Sequence, residues 1–203
     1  MSARRDASPA PDAQHMRERV LRGASDLFYK EGVRAVGVDL IVAQTGIAKT
    51  SLYRYFPTKD ALVAAFLQQE DLHFWSCWDA ATARAQGHPR RELLEQLRWI
   101  AERIGRDNYR GCPQLNVSAE FSDPEHPARQ VAKTHKQEMV RRLTELARRL
   151  SAKQPDRLGL QLSLLINGAF VSSSIVPAKQ AYALLSQAAD ALLAAHGVRI
   201  ARA

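Results

Sequence analysis

Apolar positions recur at helical spacing along most of the chain. From His15 onward, Met16, Val20, Ala24, Leu27 and Phe28 share one helical face, and Gly32 follows as a residue that tolerates the left-handed cap conformation. A short apolar group, Val38, Ile41 and Val42, precedes Thr45 and Gly46. Ile47, Leu52 and Phe56 then mark a third helix that ends before Pro57. Thr58 is placed to cap a long fourth helix carrying Leu62, Ala65, Phe66, Leu72, Trp75 and Trp78, broken at Gly87-His88-Pro89. Leu93, Leu97, Ile100 and Ile104 define a fifth helix. Gly111-Cys112-Pro113 opens a short sixth that stops near Asp123-Pro124, and Val131, His135, Met139, Leu143, Leu146 and Leu150 define a seventh.

The last two helices differ in kind. Leu158 to Val171 is apolar nearly all round, and such a helix must be covered on more than one side. After Pro177 comes an Ala-rich helix, whose small side chains permit close helix approach. Together they predict a two-fold four-helix interface between two copies, with Leu162, Ile166, Phe170, Leu184, Leu185, Ala188 and Leu192 as its candidate residues. No alternation long enough for a convincing strand and no internal repeat is visible, so the fold class is all-α.

The 203 residues, 46% hydrophobic, suffice for a small domain and a medium one, each with its own core. The reading is a disordered arm over residues 1–14, a DNA-binding head over 15–57 and a body over 58–203. The arm is rich in Ser, Pro and Ala, and its Arg4 and Arg5 are able to touch a groove. A net charge of +8 favours a polyanionic partner. It does not locate a site, since residues 1–60 hold ten Lys/Arg against seven Asp/Glu and the rest nineteen against fourteen. The basic residues of the seventh helix read as a solvated face. No apolar run is long enough to span a bilayer or to follow the basic N-terminus as a signal peptide, so a cytoplasmic location is expected. Cys77 and Cys112 have no partners at ligand spacing, so neither a disulfide framework nor a metal site is indicated, and no cofactor or catalytic motif is recognisable.

Two short helices joined by a tight Gly-containing turn form a helix-turn-helix, whose second helix enters the major groove. Here the pair is Val38 to Thr45 and Lys49 to Phe56, turning at Gly46. With Ile47, Leu52 and Phe56 as anchors, Lys49, Thr50, Tyr53 and Arg54 point away from the core. These residue types suit phosphates, base edges and thymine methyls.

The string from Gly46 to Leu62, with Lys49-Thr50-Ser51-Leu52-Tyr53-Arg54-Tyr55-Phe56-Pro57 at its centre, closely resembles the signature of the tetracycline-repressor (TetR) family of bacterial regulators. The likeness is strong from Met16 to about Leu67. Gly111-Cys112-Pro113 with Asn116, Glu120-Phe121 and Asp123-Pro124 looks like one subgroup of that family. The resemblance implies a nine-helix subunit with a three-helix DNA-binding head, a six-helix ligand-binding body, dimerisation through helices eight and nine, and no enzyme activity. It places Lys49, Thr50 and Ser51 near base edges, and Tyr53, Tyr55 and Lys59 on phosphates, with Arg54 also facing the DNA. Two positions depart from the family pattern: Gly37 and Ala48 stand where Ser or Thr usually caps, which leaves Thr50 or Ser51 to serve at the third helix.

In the body, Trp75, Trp78, Phe121 and Phe170 are apolar candidates for a ligand cavity among helices four to eight. The polar residues Arg103, Cys112, Asn116, His135 and Asn167 fall at or beside apolar stripes, where burial demands a partner from protein, water or ligand. The expected protein is thus a repressor that binds a palindromic operator on double-stranded DNA as a homodimer and is released by a small apolar or aromatic effector. The alternatives are a redox-responsive regulator using Cys112 and a helical small-molecule binder with an idle head.

Overall fold

The computed structural model describes residues 11–199. They form α1 (Pro11–Glu31), α2 (Val38–Thr45), α3 (Lys49–Tyr55), α4 (Lys59–Ala83), α5 (Pro89–Ile104), α6 (Pro113–Glu120), α7 (Pro127–Arg149), α8 (Pro155–Val171) and α9 (Ala178–Ala195), with no strand among the described residues. Five of these helices begin at proline. Proline suits that position because its ring presets a helical φ and its missing N–H is one the helix could not have bonded. Helix α1 therefore starts at Pro11 rather than His15, and Gln14 joins Glu18 one turn on by a 3.2 Å hydrogen bond. Residues 11–14 of the expected arm are helical. The rest of that arm, with Arg4 and Arg5, lies outside the described residues.

Two hydrophobic clusters organise the chain. The first joins Val20, Ala24 and Phe28 of α1 to Ile41, Leu52 and Phe56, and takes in Leu62 to Leu67 of α4 and Val117, Ala128 and Ala132 of α6 and α7. The second packs Phe74 and Trp78 of α4 against Leu97 and Ile100 of α5, Met139 and Leu143 of α7, Leu162, Ile166 and Phe170 of α8, and Leu185 and Leu193 of α9. Helix α4 thus belongs to both.

Helices α7 and α8 meet at a glycine. A Cβ on Gly159 would stand 2.3 Å from Thr144 Oγ1 and 2.8 Å from its backbone N and Cα. Only a residue without a side chain allows the two backbones to run that close. Gly159→Ala is therefore expected to push α8 outward. Overpacking of this kind costs about 1–3 kcal/mol and outweighs the gain of up to about 1 kcal/mol in helix propensity, so differential scanning calorimetry should record a melting temperature several degrees lower.

At the centre of the body, Phe74 lies edge-on to Trp75, Trp99 and His135 at 5.0, 5.0 and 4.7 Å between ring centroids, and Trp78 stacks on it at 5.9 Å. His135 is buried in this cluster, with Nδ1 2.6 Å from Asp71 Oδ1. Burial holds its pKa at about 4, below the usual 6.5, and the nearby Lys136 and Arg103 act in the same direction against the opposing Asp71. The folded chain therefore binds this proton less readily than the unfolded chain. The stability His135 contributes is complete above about pH 6.5 and is lost as pH falls towards 4. The loss reaches roughly 3 kcal/mol at its limit. Thermal melts of the wild type between pH 8 and 5 should show the transition falling, and His135→Gln should flatten that slope; equal slopes would count against the assignment.

Candidate nucleic-acid interface

Gly46 ends α2 with φ 66°, the left-handed region, and its N–H donates to the Val42 carbonyl at 2.9 Å. The turn sends α3 off across the first core. Ile47, Leu52 and Phe56 are buried beneath it, and Arg19 braces the turn by donating to the Thr45 carbonyl at 2.8 Å. This fixed underside leaves Lys49, Thr50, Tyr53 and Arg54 exposed, with Ser51, Tyr55 and Lys59 half-buried beside them. All seven residues anticipated from the sequence thus lie on α3 or at the first residue of α4, and the most exposed of them share the outer face of α3.

Three of the seven are already engaged. Lys49 Nζ donates to Asp39 Oδ1 across the α2–α3 turn at 2.8 Å, and the hydrogen bond and charge of Asp39 raise the lysine's pKa above its ordinary value. Arg54 donates to the Tyr55 hydroxyl at 3.0 Å, with its guanidinium 5.0 Å over that ring. Sequence reasoning missed Asp39; its place two residues into α2, facing the start of α3, is visible only once the turn is built. No side-chain cap forms at Gly37 or at Ala48, so neither Thr50 nor Ser51 replaces the missing one, because both are held inside the first turn of the helix. Thr58 does cap α4, accepting from the Ala61 N–H at 3.0 Å.

The head is clasped to the body by α6 and the loop before it. Glu120 accepts from the backbone N–H groups of Val33 and Arg34 at 3.2 and 2.8 Å, just beyond α1. Tyr29 Oη accepts from the Arg110 N–H at 3.0 Å and donates to the Gly111 carbonyl at 3.3 Å, while Arg110 Nη1 donates back to the Tyr29 carbonyl at 3.0 Å. This joint uses two of the anticipated ligand residues for other purposes. Asn116 donates to the Arg110 carbonyl at 3.0 Å and sits where Gly111 lacks a side chain. Phe121 stacks on His126 at 3.7 Å and packs against the first core, not the body.

Trp75 and Trp78 pack ring to ring in the body, and Asn167 accepts from Lys136 Nζ at 2.7 Å. Phe121 lies apart from these three, in the first cluster, so the four do not surround one space. Arg103, Cys112, His135 and Phe170 do come together, with Glu70, around a small void of about 10 Å³, enough for a single water. A neighbouring open pocket of about 170 Å³ shares Glu70 and Arg103 and adds Tyr29, His73, Arg106 and Tyr109.

Four of the anticipated interface residues lie inside the subunit, Leu185 of α9 at 6% exposure among them. Leu162, Ile166 and Phe170 are at most 1% exposed, facing the chain's own core. The helix is apolar all round because its two faces serve different purposes. Leu160, Leu164, Val171 and Ile175 lie on the outward side, with Leu164 71% and Ile175 80% exposed. Leu184 of α9 is exposed near them, Ala188 and Leu192 are half-buried, and Leu185 is buried. An open apolar hollow of about 340 Å³, lined by Leu165, Gly168, Ala181, Leu184 and Ala188, joins the two helices.

Residues 20–66 match the family described as bacterial regulatory proteins, tetR family. A TetR-family transcriptional regulator from Streptomyces coelicolor superposes with a TM-score of 0.83 at 28% identity, over 90% of this chain and 96% of that one. A TetR-type regulator from Streptomyces avermitilis ma-4680 superposes with a TM-score of 0.80 at 31% identity, over 90% and 98%. An uncharacterised HTH-type transcriptional regulator of Lactococcus lactis subsp. lactis is 26% identical over 112 residues, and the match spans only 56% of that protein's length. Because the likeness runs from the helix-turn-helix through α9 and reaches 31% identity over nearly all of the avermitilis chain, this chain belongs to the TetR family of transcriptional regulators.

Proposed function

We propose that the chain is a cytoplasmic repressor that binds a palindromic operator as a homodimer and is released by a small effector, with residues 15–57 reading DNA and 58–203 sensing and dimerising. The observation that carries this reading is the polar, basic outer face of α3, held rigid by Ile47, Leu52 and Phe56 beneath it. Two such helices on a two-fold axis fit successive major grooves at a spacing of about 34–36 Å. An idle head is disfavoured by the same face, since Lys49, Thr50, Tyr53 and Arg54 are neither acidic nor apolar. The two-fold partner is supported by the outward stripe of α8, a patch of large apolar groups that a monomer would leave in water. A second reading, control through the Cys112 thiol, is favoured by Lys136 Nζ lying 3.7 Å from its sulfur. Slow alkylation of Cys112 in the native protein, with DNA binding unchanged, would dispose of it.

In electrophoretic mobility-shift titrations on the DNA upstream of its own gene, Lys59→Ala should weaken binding to every sequence alike and lower the salt slope by about 1, the mark of a lost phosphate contact. Lys49→Ala or Thr50→Ala should instead change the preferred base across a randomised operator library, at a cost of about 1–3 kcal/mol for a lost base contact. Identical losses from Lys49→Ala and Lys59→Ala at every sequence would refute the division of roles.

For the dimer, Leu164→Glu should give a folded monomer by analytical ultracentrifugation at micromolar concentration, because its side chain touches water in the subunit. Ile166→Glu should instead lose helical circular dichroism, since it places a charge in the core. A wild type that sediments as a monomer would overturn the interface.

A further inference from the structure

Arg103 is an unusual buried charge. Only 8% exposed, it has Glu70 Oε2 as its carboxylate neighbour at 3.9 Å, beyond hydrogen-bond reach. Phe74 and Trp99 face its guanidinium at 6.0 and 5.8 Å. A buried guanidinium paired this loosely leaves much of its desolvation uncompensated. Further polar groups around it are unmatched. The Tyr109 hydroxyl is buried with no hydrogen-bond partner, and burial pushes its pKa well above the ordinary range. His135 Nε2 and Gln114 Oε1, both on side chains about 98% buried, are likewise unpartnered on the void that shares Arg103.

The open pocket of about 170 Å³ beside Arg103 is lined by Tyr29, Glu70, His73, Arg106, Asn108 and Tyr109. Two guanidinium groups face one carboxylate there, and two phenol rings form its walls. In size it resembles the engineered cavity of about 150 Å³ that holds benzene. Guanidinium groups bind carboxylates through paired, charge-assisted hydrogen bonds.

We infer that this pocket, between the C-terminal turn of α1, α4 and the α5–α6 loop, binds a small single-ring aromatic carboxylate, its carboxylate on Arg103 and the otherwise unpartnered Tyr109 hydroxyl and its ring against Tyr29. The inference deepens the effector-released reading above and rests on it only for the consequence, not for binding. Glu70 opposes the incoming anion and must turn aside, which a side chain 27% exposed can do. Tyr29 is also the hydroxyl that ties α1 to Arg110 and Gly111. An occupant against Tyr29 therefore bears on the head–body joint directly.

Calorimetric titration of the full chain with benzoate, benzamide and inorganic phosphate tests the site. Benzoate should bind saturably, its neutral isostere benzamide at least tenfold more weakly, and phosphate without saturation. Glu70→Gln should tighten benzoate binding, and Tyr109→Phe should weaken it severalfold with the fold intact. Arg103→Gln should abolish the preference for the acid over the amide. Should that variant fail to fold by circular dichroism, the Glu70 and Tyr109 variants carry the test. Equal binding of benzoate and benzamide, tighter binding of phosphate than of benzoate, no benzoate binding to folded wild type, or unchanged affinities in Glu70→Gln and Tyr109→Phe would each overturn the proposal. A mobility-shift assay separates the two readings. Benzoate that binds without releasing DNA supports the pocket and refutes its gating of the head; a different compound that releases DNA while benzoate fails to bind refutes the pocket and leaves the regulator reading standing.

Discussion

Helix α4 places Leu62, Phe66 and Leu67 in the first core and Phe74 and Trp78 in the second, on one unbroken run of helical hydrogen bonds. A helix does not bend sharply without proline, a bulge or an inserted group. The head's direction is therefore tied to whatever the second half of α4 packs against. The clasp at Glu120 and Tyr29 supplies a second attachment, made of hydrogen bonds instead of apolar area. The two attachments differ physically: buried hydrophobic contact resists separation in any direction, whereas a few partly exposed hydrogen bonds can be exchanged for water or ligand at a net cost of about 0.5–1.5 kcal/mol each. Rearrangement should thus begin at the clasp, with α4 transmitting the angle.

The elements were legible to the extent that periodicity and proline marked them. Every one of the nine helices among the described residues has its apolar stripe in the sequence, and Pro89, Pro127 and Pro155 mark starts that lie three or four residues, about one turn, ahead of the first apolar residue of the stripe. The faces were less legible. Leu162 and Leu164 are both leucine on one helix, yet one is in the core and the other in water. Composition cannot separate them, because an interface between copies and an interior use the same side chains. Their alternation follows only from which side of α8 meets α7, and that is decided by the glycine at 159 and its approach to Thr144.

The exposed face of α3, proposed above to meet DNA, was legible because a short local string places it, with nothing distant involved. The cavity residues were not, for the opposite reason. Phe121 and Asn116 follow the Gly111-Cys112-Pro113 turn closely in sequence, but the clasp draws them to the head, while Arg103 and His135, on separate helices, converge on Glu70 and Phe74. Tyr29 and Tyr109 escaped notice altogether. Nothing in the apolar stripe of α1 indicates that its C-terminal turn reaches the α5–α6 loop.

The Lys49–Asp39 pair shows how the recognition surface balances two demands. An exposed ion pair contributes little to stability, and both partners here are largely in water. Its consequence is for binding instead. If α3 meets DNA as proposed, the bond to Asp39 favours one position of the lysine at the start of α3, which would lower the entropy lost on contact with a base or phosphate, and would also put a negative charge near the DNA backbone. Charge repulsion of this kind acts on every sequence equally, whereas a well-placed lysine rewards only the right one. An arrangement that weakens all binding slightly while leaving the correct contact prepared increases discrimination more than affinity.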